Sequence, residues 1–75
     1  MAVTYAYNYA EIDDATGMCI GIVSSSDPDE AGSTNNGTTF VPIPVYDGDY
    51  LFKYYINGSW YEDAAGTIPW TSSLL

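Results

Sequence analysis

The pair Asn57-Gly58 stands between two aromatic runs, and no other feature constrains the fold of this chain so strongly. Asn-Gly is the preferred sequence of the type I′ turn, which has positive φ at both residues and joins two antiparallel strands. The flanking segments, "KYYI" and "SWYED", are rich in aromatic residues, which favour strands. We therefore predict a β-hairpin across residues 53–63.

Two further strands are predicted in the first third of the chain, because the side chains alternate there with a period of two. The first is "AVTYAYNYAEI", residues 2–12, and the second is "MCIGIVS", residues 18–24. Between them, "DDATG" has the Asp and Gly residues of a turn. We expect an antiparallel hairpin, with Gly21 at a bulge or at a close approach of two backbones.

The tyrosines of the first predicted strand lie on one face, because Tyr5, Tyr7 and Tyr9 are two residues apart. Large rings bury much apolar area at a low cost in side-chain entropy, which suits a small protein. We interpret this row as part of the core.

The segment "FVPIPV", residues 40–45, predicts another strand. Pro42 and Pro44 lack amide donors, so we place this strand at the edge of a sheet. The following "YDGDYLFK", residues 46–53, begins with a turn and favours a single helical turn before the final hairpin.

Two segments lack the pattern of strands. Residues 25–39 are small, polar and rich in turn residues, which predicts a mobile surface loop. Residues 64–75 form an apolar tail, which we expect to dock onto another surface. We predict an all-β fold in which residues 1–75 form a single small β domain. It is an antiparallel meander of about five strands, in one sheet or a partly closed barrel, with a C-terminal β-hairpin.

The length and the cysteine count limit how this domain is stabilised. A chain of 75 residues buries roughly 60% of its unfolded surface, so its core is thin. Cys19 is the only cysteine and there is no histidine, which excludes an internal disulfide and disfavours zinc. We expect Cys19 to be a buried hydrophobic residue in a reducing compartment. Aromatic packing and association with another chain remain as sources of stability.

The charge of the chain limits its partners. Ten carboxylates accompany one cation, Lys53, for a formal net charge of -9. Such a chain repels the phosphates of nucleic acids and anionic membrane surfaces, so we predict neither as a partner. The first ten residues lack the basic start and apolar run of a signal peptide, and no segment has the roughly 18 apolar residues of a membrane span. We predict synthesis in the cytoplasm.

The chain has no pattern typical of an active site. Without histidine, Ser-His and Cys-His catalysis are not possible. The acidic clusters lie in predicted turns or strand ends: Asp13/Asp14, Asp27/Asp29/Glu30, Asp47/Asp49 and Glu62/Asp63. Calcium binding by such turns is an alternative to simple solvation, although none continues into a calcium-loop pattern. We predict no enzyme activity, no catalytic residue, no cofactor and no metal site.

The aromatic residues of the C-terminal third are the candidate binding or interface residues: Tyr54, Tyr55, Trp60, Tyr61 and Trp70. Adjacent residues of a strand point to opposite faces, so the hairpin must carry rings on both. These rings either complete the core or offer an amphipathic contact surface to a protein or a sugar. We expect the second face to be covered by the tail, by a second copy or by a partner.

Nearly the whole chain resembles the small orphan proteins encoded in tail-gene clusters of phages and prophages of Gram-positive bacteria. The shared pattern is a strand, a "G-x-C-x-G" segment, a loop, "I-P-x-Y-D" and a "Y-x-x-G-x-W-x-E" hairpin. The matching residues are Gly17, Cys19, Gly21, Ile43, Pro44, Tyr46, Asp47, Tyr55, Gly58, Trp60 and Glu62. The resemblance implies a structural or accessory virion module without catalysis.

A second resemblance is confined to residues 57–70. "NGSWYEDAAGTIPW" is similar to one cell-wall-binding repeat of the choline-binding type, "G-x-W-Y-x-D-x-x-G". In that family aromatic side chains surround a quaternary ammonium group, and Trp60, Tyr61 and Trp70 would be the counterparts. Arrays of this kind need about three repeats to be stable, and this chain carries one.

These observations predict a non-enzymatic structural or accessory module that acts by protein-protein contact, with virion proteins or a second copy as partners and the virion as its final location. A carbohydrate or cell-wall binding module is the first alternative. An acidic protein that masks a basic partner is the second.

Overall fold

The computed structural model describes residues 7–75, and its fold is all-β, as predicted. Strand and helix bounds are β1 Tyr7–Asp13, β2 Cys19–Ser25, β3 Gly32–Ser33, β4 Thr38–Ile43, a 3₁₀ helix Gly48–Tyr50, β5 Tyr54–Ile56 and β6 Ser59–Tyr61. The first part of the predicted strand 2–12, with Tyr5, lies outside the described residues. The single helical turn expected within residues 46–53 is the 3₁₀ helix.

The strands form two antiparallel units, and neither is closed into a barrel. Four of them make one sheet in the order β2-β1-β4-β3, and β5 and β6 make the separate hairpin. The sequence predicted about five strands, in one sheet or a partly closed barrel. The order also differs from a simple meander, because β1 lies in the middle and pairs with both β2 and β4.

The β1–β2 hairpin follows from its turn residues. Asp13 accepts hydrogen bonds from the amide of Ala15 and the hydroxyl of Thr16, both at 3.1 Å, and Gly17 has a φ of 78°. The register shifts farther along the hairpin, because Glu11 pairs with Gly21 but Ile12 pairs with Cys19. Ile20 is therefore the extra residue of a β-bulge, beside the glycine at which we expected one.

The predicted edge position of the proline-rich strand is wrong. β4 lies between β1 and β3. However, β3 pairs only with Thr39 and Phe40, so Pro42 lies beyond the end of β3. A missing amide is tolerated at Pro42 because that side of β4 has no partner strand among residues 7–75.

The predicted loop 25–39 contains this short β3 strand. In addition, the hydroxyl of Tyr9 donates a 2.8 Å hydrogen bond to the carbonyl of Asp27. Both contacts attach the segment to the sheet. Its mobility stays a prediction.

The main core lies on the face of the sheet that carries the smaller side chains of β1. Its buried residues are Ala10, Ile12, Cys19, Ile43 and Tyr50. The covering side chains come from the second half of the chain and include Leu51, Tyr55, Trp60 and Trp70. Ala10 and Cys19 are small and fully buried, and they leave room in the sheet for these large rings.

The tyrosine row of β1 lies on the opposite face and is only partly buried. Tyr9 is buried, and its ring lies 6.5 Å from that of Phe40. Tyr7 is 41% exposed, so our assignment of Tyr7 to the core is wrong. The rings of the C-terminal half pack on the opposite face of the sheet, not on the face that carries Tyr7 and Tyr9. On the tyrosine face, the segment around Asp27 contacts Tyr9.

The predicted hairpin at Asn57-Gly58 is confirmed. Asn57 has a φ of 51° and Gly58 a φ of 85°, as a type I′ turn requires. The register pairs Tyr55 with Trp60 and Tyr54 with Tyr61. Tyr55 and Trp60 therefore share one face of the hairpin, while Tyr54 and Tyr61 share the other.

Replacing Gly58 by valine tests the hairpin. Gly58→Val should lower the free energy of unfolding by about 1–2 kcal/mol or more, because a β-branched residue resists positive φ. Gly48→Val is the matched control, because Gly48 has no positive φ and a Cβ there meets nothing within 4 Å. Urea denaturation of both variants checks this, and equal midpoints would contradict it.

Candidate functional site

Four aromatic side chains of the C-terminal half pack together: Tyr50, Tyr55, Trp60 and Trp70, here called the aromatic cluster. Tyr50 is at its centre and is buried. The centroid of its ring lies 4.9 Å from that of Trp60 and 4.8 Å from that of Trp70, both edge to face. Tyr55 lies 5.1 Å from Trp60. Edge-to-face pairs are favoured because the positive ring edge meets the negative face.

Three local structures hold these rings in place. The 3₁₀ helix presents Tyr50, and the carboxylate of Asp47 caps the helix by accepting the amide of Asp49 at 2.9 Å. The hairpin presents Tyr55 and Trp60 as a cross-strand pair. The tail runs beside β6, where the amide of Trp70 donates to the carbonyl of Trp60 at 3.0 Å.

The structure brings together three of the five predicted site residues. Tyr55, Trp60 and Trp70 belong to the aromatic cluster, whereas Tyr54 and Tyr61 lie on the other face of the hairpin. The three counterparts in the choline-binding repeat therefore do not surround one point in this structure, because Tyr61 faces away from Trp60.

Sequence reasoning gave no role to Tyr50, the central ring. The pattern of residues 46–53 predicts a turn and a single helical turn, but it does not indicate that Tyr50 is buried. A usable signal is that Tyr50 is the first large apolar residue after the helix-capping Asp47.

The second face of the hairpin is partly covered by this chain itself. Gly66 has a φ of 70°, and a Cβ built there would lie 3.2 Å from Ile56 and 3.8 Å from Tyr61. The carboxylate of Asp63 holds this turn by accepting the amides of Thr67 and Ile68 at 2.9 Å. These bonds, led by the one from the Thr67 hydroxyl, lower the pKa of Asp63.

An open cleft of about 380 Å³ lies against the aromatic cluster. Its lining residues are Pro44, Tyr50, Ser59, Trp60, Pro69, Trp70, Thr71, Ser72 and Leu75. The lining residues thus include two tryptophans and four residues that carry a hydroxyl group: Tyr50, Ser59, Thr71 and Ser72. The ammonium of Lys53 lies 5.0 Å from the centroid of the Trp70 ring, within the range of a cation–π interaction.

A buried polar contact ties the tail to the 3₁₀ helix. Both Asp47 and Ser72 are buried, and the hydroxyl of Ser72 donates to the carboxylate of Asp47. Ser72 in turn accepts the amide of Leu74 at 3.1 Å. The hydroxyl of Ser72, followed by the amide of Asp49, lowers the pKa of Asp47 by stabilising its charged form.

The acidic turns have structural roles. Asp13, Asp27, Asp47 and Asp63 each accept a backbone amide two to four residues farther along the chain. Within residues 7–75, no three side chains of His, Cys, Asp or Glu are placed to hold a metal ion. The turn carboxylates therefore act as local caps.

Cys19 is in the core, as expected, and donates its thiol proton to the carbonyl of Gly21 at 3.3 Å. Burial raises the pKa of its thiol. The neutral thiol is therefore the stable form at neutral pH, which makes Cys19 a packing residue.

Several large apolar side chains remain exposed. The chain segment 46–75 contributes Tyr46, Phe52, Ile68, Leu74 and Leu75, and the earlier part contributes Tyr7 and Ile20. Phe52 is unusual because it has a φ of 69° and is 67% exposed. Positive φ is unfavourable for a bulky residue, so surrounding contacts must hold its backbone.

Comparison of the chain with family models, with curated proteins and with solved structures gave no match. No helix within residues 7–75 has the length and apolar character needed to cross a membrane.

Replacing Ser72 by alanine tests the contact with Asp47. The pKa of Asp47 is lower in the folded protein than in the unfolded chain, where it is about 3.9. The folded state thus binds fewer protons, and the stabilisation is present above pH about 4 and is lost as the pH falls through the folded pKa. We expect Ser72→Ala to lower the melting temperature at pH 6, and the difference from the unmodified protein to narrow below pH about 4.

Ser73→Ala is the matched control, because Ser73 is the exposed neighbour. Thermal denaturation monitored by circular dichroism between pH 2 and 7 provides the measurement. A difference in melting temperature that stays constant over this pH range would show that Ser72 does not lower the pKa of Asp47.

Proposed function

We propose that this chain is a non-enzymatic structural or accessory module of a phage or prophage virion, and that it acts by contact with another protein. The observation that carries the proposal is the concentration of exposed apolar side chains on segment 46–75. Exposed apolar patches on small proteins commonly mark interfaces.

The tail supports this proposal because it is fixed in place yet apolar toward solvent. The amides of Trp70 and Glu62 form backbone hydrogen bonds that attach the tail to β6, and Ser72 attaches it to Asp47. Leu74 and Leu75 nevertheless remain 61% and 67% exposed. An ordered segment that presents two leucines to water is suited to burial against a partner.

The charge favours a different protein over a second copy. Two copies, each with a net charge of -9, repel one another, whereas a partner with basic residues is attracted. Added salt screens both effects. A second copy remains the alternative partner, and its association would tighten with salt.

The virion setting is proposed from the resemblance to tail-cluster proteins. Several residues of that pattern have structural roles in this chain. Gly17 lies in a left-handed turn, with the carbonyl of Tyr55 3.4 Å from a Cβ built there. Cys19 is in the core, Gly58 is in the hairpin turn and Trp60 is in the aromatic cluster. The pattern thus favours a shared fold, and neighbouring capsid, tail and holin genes would support the setting.

Site-specific crosslinking in assembling particles tests the proposal. With a benzoylphenylalanine in place of Leu74, illumination should join the chain to another virion protein, identified by mass spectrometry. The matched control carries the same group in place of Tyr7, an exposed residue on the other face of the sheet. Absence of the chain from purified particles, or equal crosslinking from both positions, would contradict the proposal.

Carbohydrate binding is the second candidate, because the cleft joins two indole rings to the hydroxyls of Ser59 and Thr71. Stacking on aromatic rings and hydrogen bonding to hydroxyls are suited to sugars. Trp60 and Trp70 are the only tryptophans in the sequence, so intrinsic fluorescence reports directly on this cleft.

Titration with cell-wall glycan fragments should shift the tryptophan emission with a dissociation constant on the order of micromolar to millimolar. Thr71→Val should weaken binding, since it removes a hydroxyl of the cleft at nearly constant volume. Thr16→Val, in the distant β1–β2 turn, is the control. An unchanged spectrum at millimolar glycan would exclude this candidate.

A further inference from the structure

The outer edge of β2 is free along most of its length. β2 is the last strand of its sheet, and within residues 7–75 only its first residue forms backbone hydrogen bonds on that side. There, the backbone amide of Cys19 donates to the carbonyl of Lys53 at 2.8 Å, and the carbonyl of Cys19 accepts from the amide of Phe52 at 2.9 Å. From Ile20 to Ser25, no strand within residues 7–75 pairs with this edge.

The two edges of the sheet differ in how they are protected. Exposed strand edges are commonly blocked by proline, by charge or by bulges. On the opposite edge, β4 is partly covered by β3 and then carries Pro42. Residues 20–25, "IGIVSS", contain neither proline nor charge, and the only bulge is at Ile20. The β2 edge is therefore open to an added strand.

We propose that the β2 edge binds an extended segment of a partner protein, added antiparallel, whose N-terminal end is basic. Every pair in this sheet is antiparallel, so an added strand continues the same hydrogen-bond pattern. Its N-terminal end then lies beside Ser25, where the chain continues into Asp27, Asp29 and Glu30. Lysine or arginine at that end of the segment is complementary to these carboxylates.

The position of Asp27 is fixed by the sheet itself. Its carbonyl accepts the hydroxyl of Tyr9, and its carboxylate accepts the amide of Asp29 at 2.9 Å. A second copy is disfavoured as the occupant, because it brings the same net charge of -9.

Phe52 lies at the other end of the free edge, where its own amide pairs with Cys19. The C-terminal end of the added strand therefore meets this exposed phenylalanine, and an apolar residue there suits it. The left-handed backbone of Phe52 is a local strain that a glycine would relieve. The strain is consistent with a ring kept in place for contact.

Synthetic peptides provide the test, with the isotope-labelled full chain observed by NMR. The peptide KKTVTVTV should shift the amide signals of Ile20–Ser25 and slow the hydrogen exchange of those amides in this range that point away from β1. TVTVTVKK, with the lysines at the other end, should bind about fivefold more weakly, because its charge lies away from Asp27. KKTVTPTV should not bind at the same concentrations, since proline interrupts the ladder.

Two variants separate recognition from folding. In Asp27→Asn/Asp29→Asn/Glu30→Gln, which keeps the side-chain oxygen of residue 27 that caps the turn, the two lysine peptides should bind equally. Phe52→Gly should raise the melting temperature and weaken binding of KKTVTVTV, so its effect on binding cannot result from unfolding. Lower stability of Phe52→Gly would overturn the role of Phe52.

Three results would overturn the proposal, which does not rest on the proposed function. In the first, KKTVTVTV shifts only the amide signals of residues that line the aromatic cleft. TVTVTVKK could bind more tightly than KKTVTVTV, which indicates parallel addition. Concentration-dependent shifts at Ile20–Ser25 without peptide would instead identify a second copy as the occupant.

Discussion

The packing of Tyr50 against the sheet is the interaction on which the rest of this structure depends. Tyr50 is the buried aromatic ring that belongs both to the core cluster, with Ala10 and Cys19, and to the aromatic cluster, with two tryptophans. A chain of 75 residues has little apolar area to bury, and its shortest dimension is 16 Å. One ring that contacts both halves therefore contributes more to cohesion than a ring within either half. Ala10 and Cys19 make this possible, because their small side chains leave space for the ring.

The second half of the chain, which covers the sheet, is held in place by backbone hydrogen bonds as well as by the packing of its aromatic rings. Lys53 pairs with Cys19, and Tyr55 pairs with Gly17, so the hairpin is joined to the start of β2. The tail is then joined to the hairpin through Trp60. Each attachment satisfies polar groups that would otherwise lose water on burial. The sheet therefore supports the hairpin, and the hairpin supports the tail.

The parts of the fold that follow from local rules could be predicted from sequence. The Asn57-Gly58 turn, the cap at Asp13 and the burial of Cys19 depend on neighbouring residues or on chemical character alone. The central position of β1 could not be predicted in this way, nor could the exposure of Tyr7. Which face of β1 is covered depends on Tyr50 and Trp60, which are about forty or more residues away. The same is true of the site, where alternation separated Tyr54 from Tyr55 correctly but could not show that the 3₁₀ helix places Tyr50 between the tryptophans.

The distribution of strain and exposure distinguishes structural residues from contact residues. Among the non-glycine residues at positive φ in the described part of the chain, Asn35 and Asn57 tolerate this conformation well, whereas Phe52 does not. Two backbone hydrogen bonds hold the backbone at Phe52. The amide of Phe52 donates to the carbonyl of Cys19, and the amide of Lys53 donates to the carbonyl of Tyr50. Burial of the ring does not explain why a phenylalanine occupies this strained position, because the ring is largely in solvent. The same segment joins the free edge of β2 to the hairpin that carries the tail. Residues 52–55 therefore link the free edge of β2 directly to the hairpin, so the two surfaces proposed above as contact sites lie on elements that are joined by backbone hydrogen bonds.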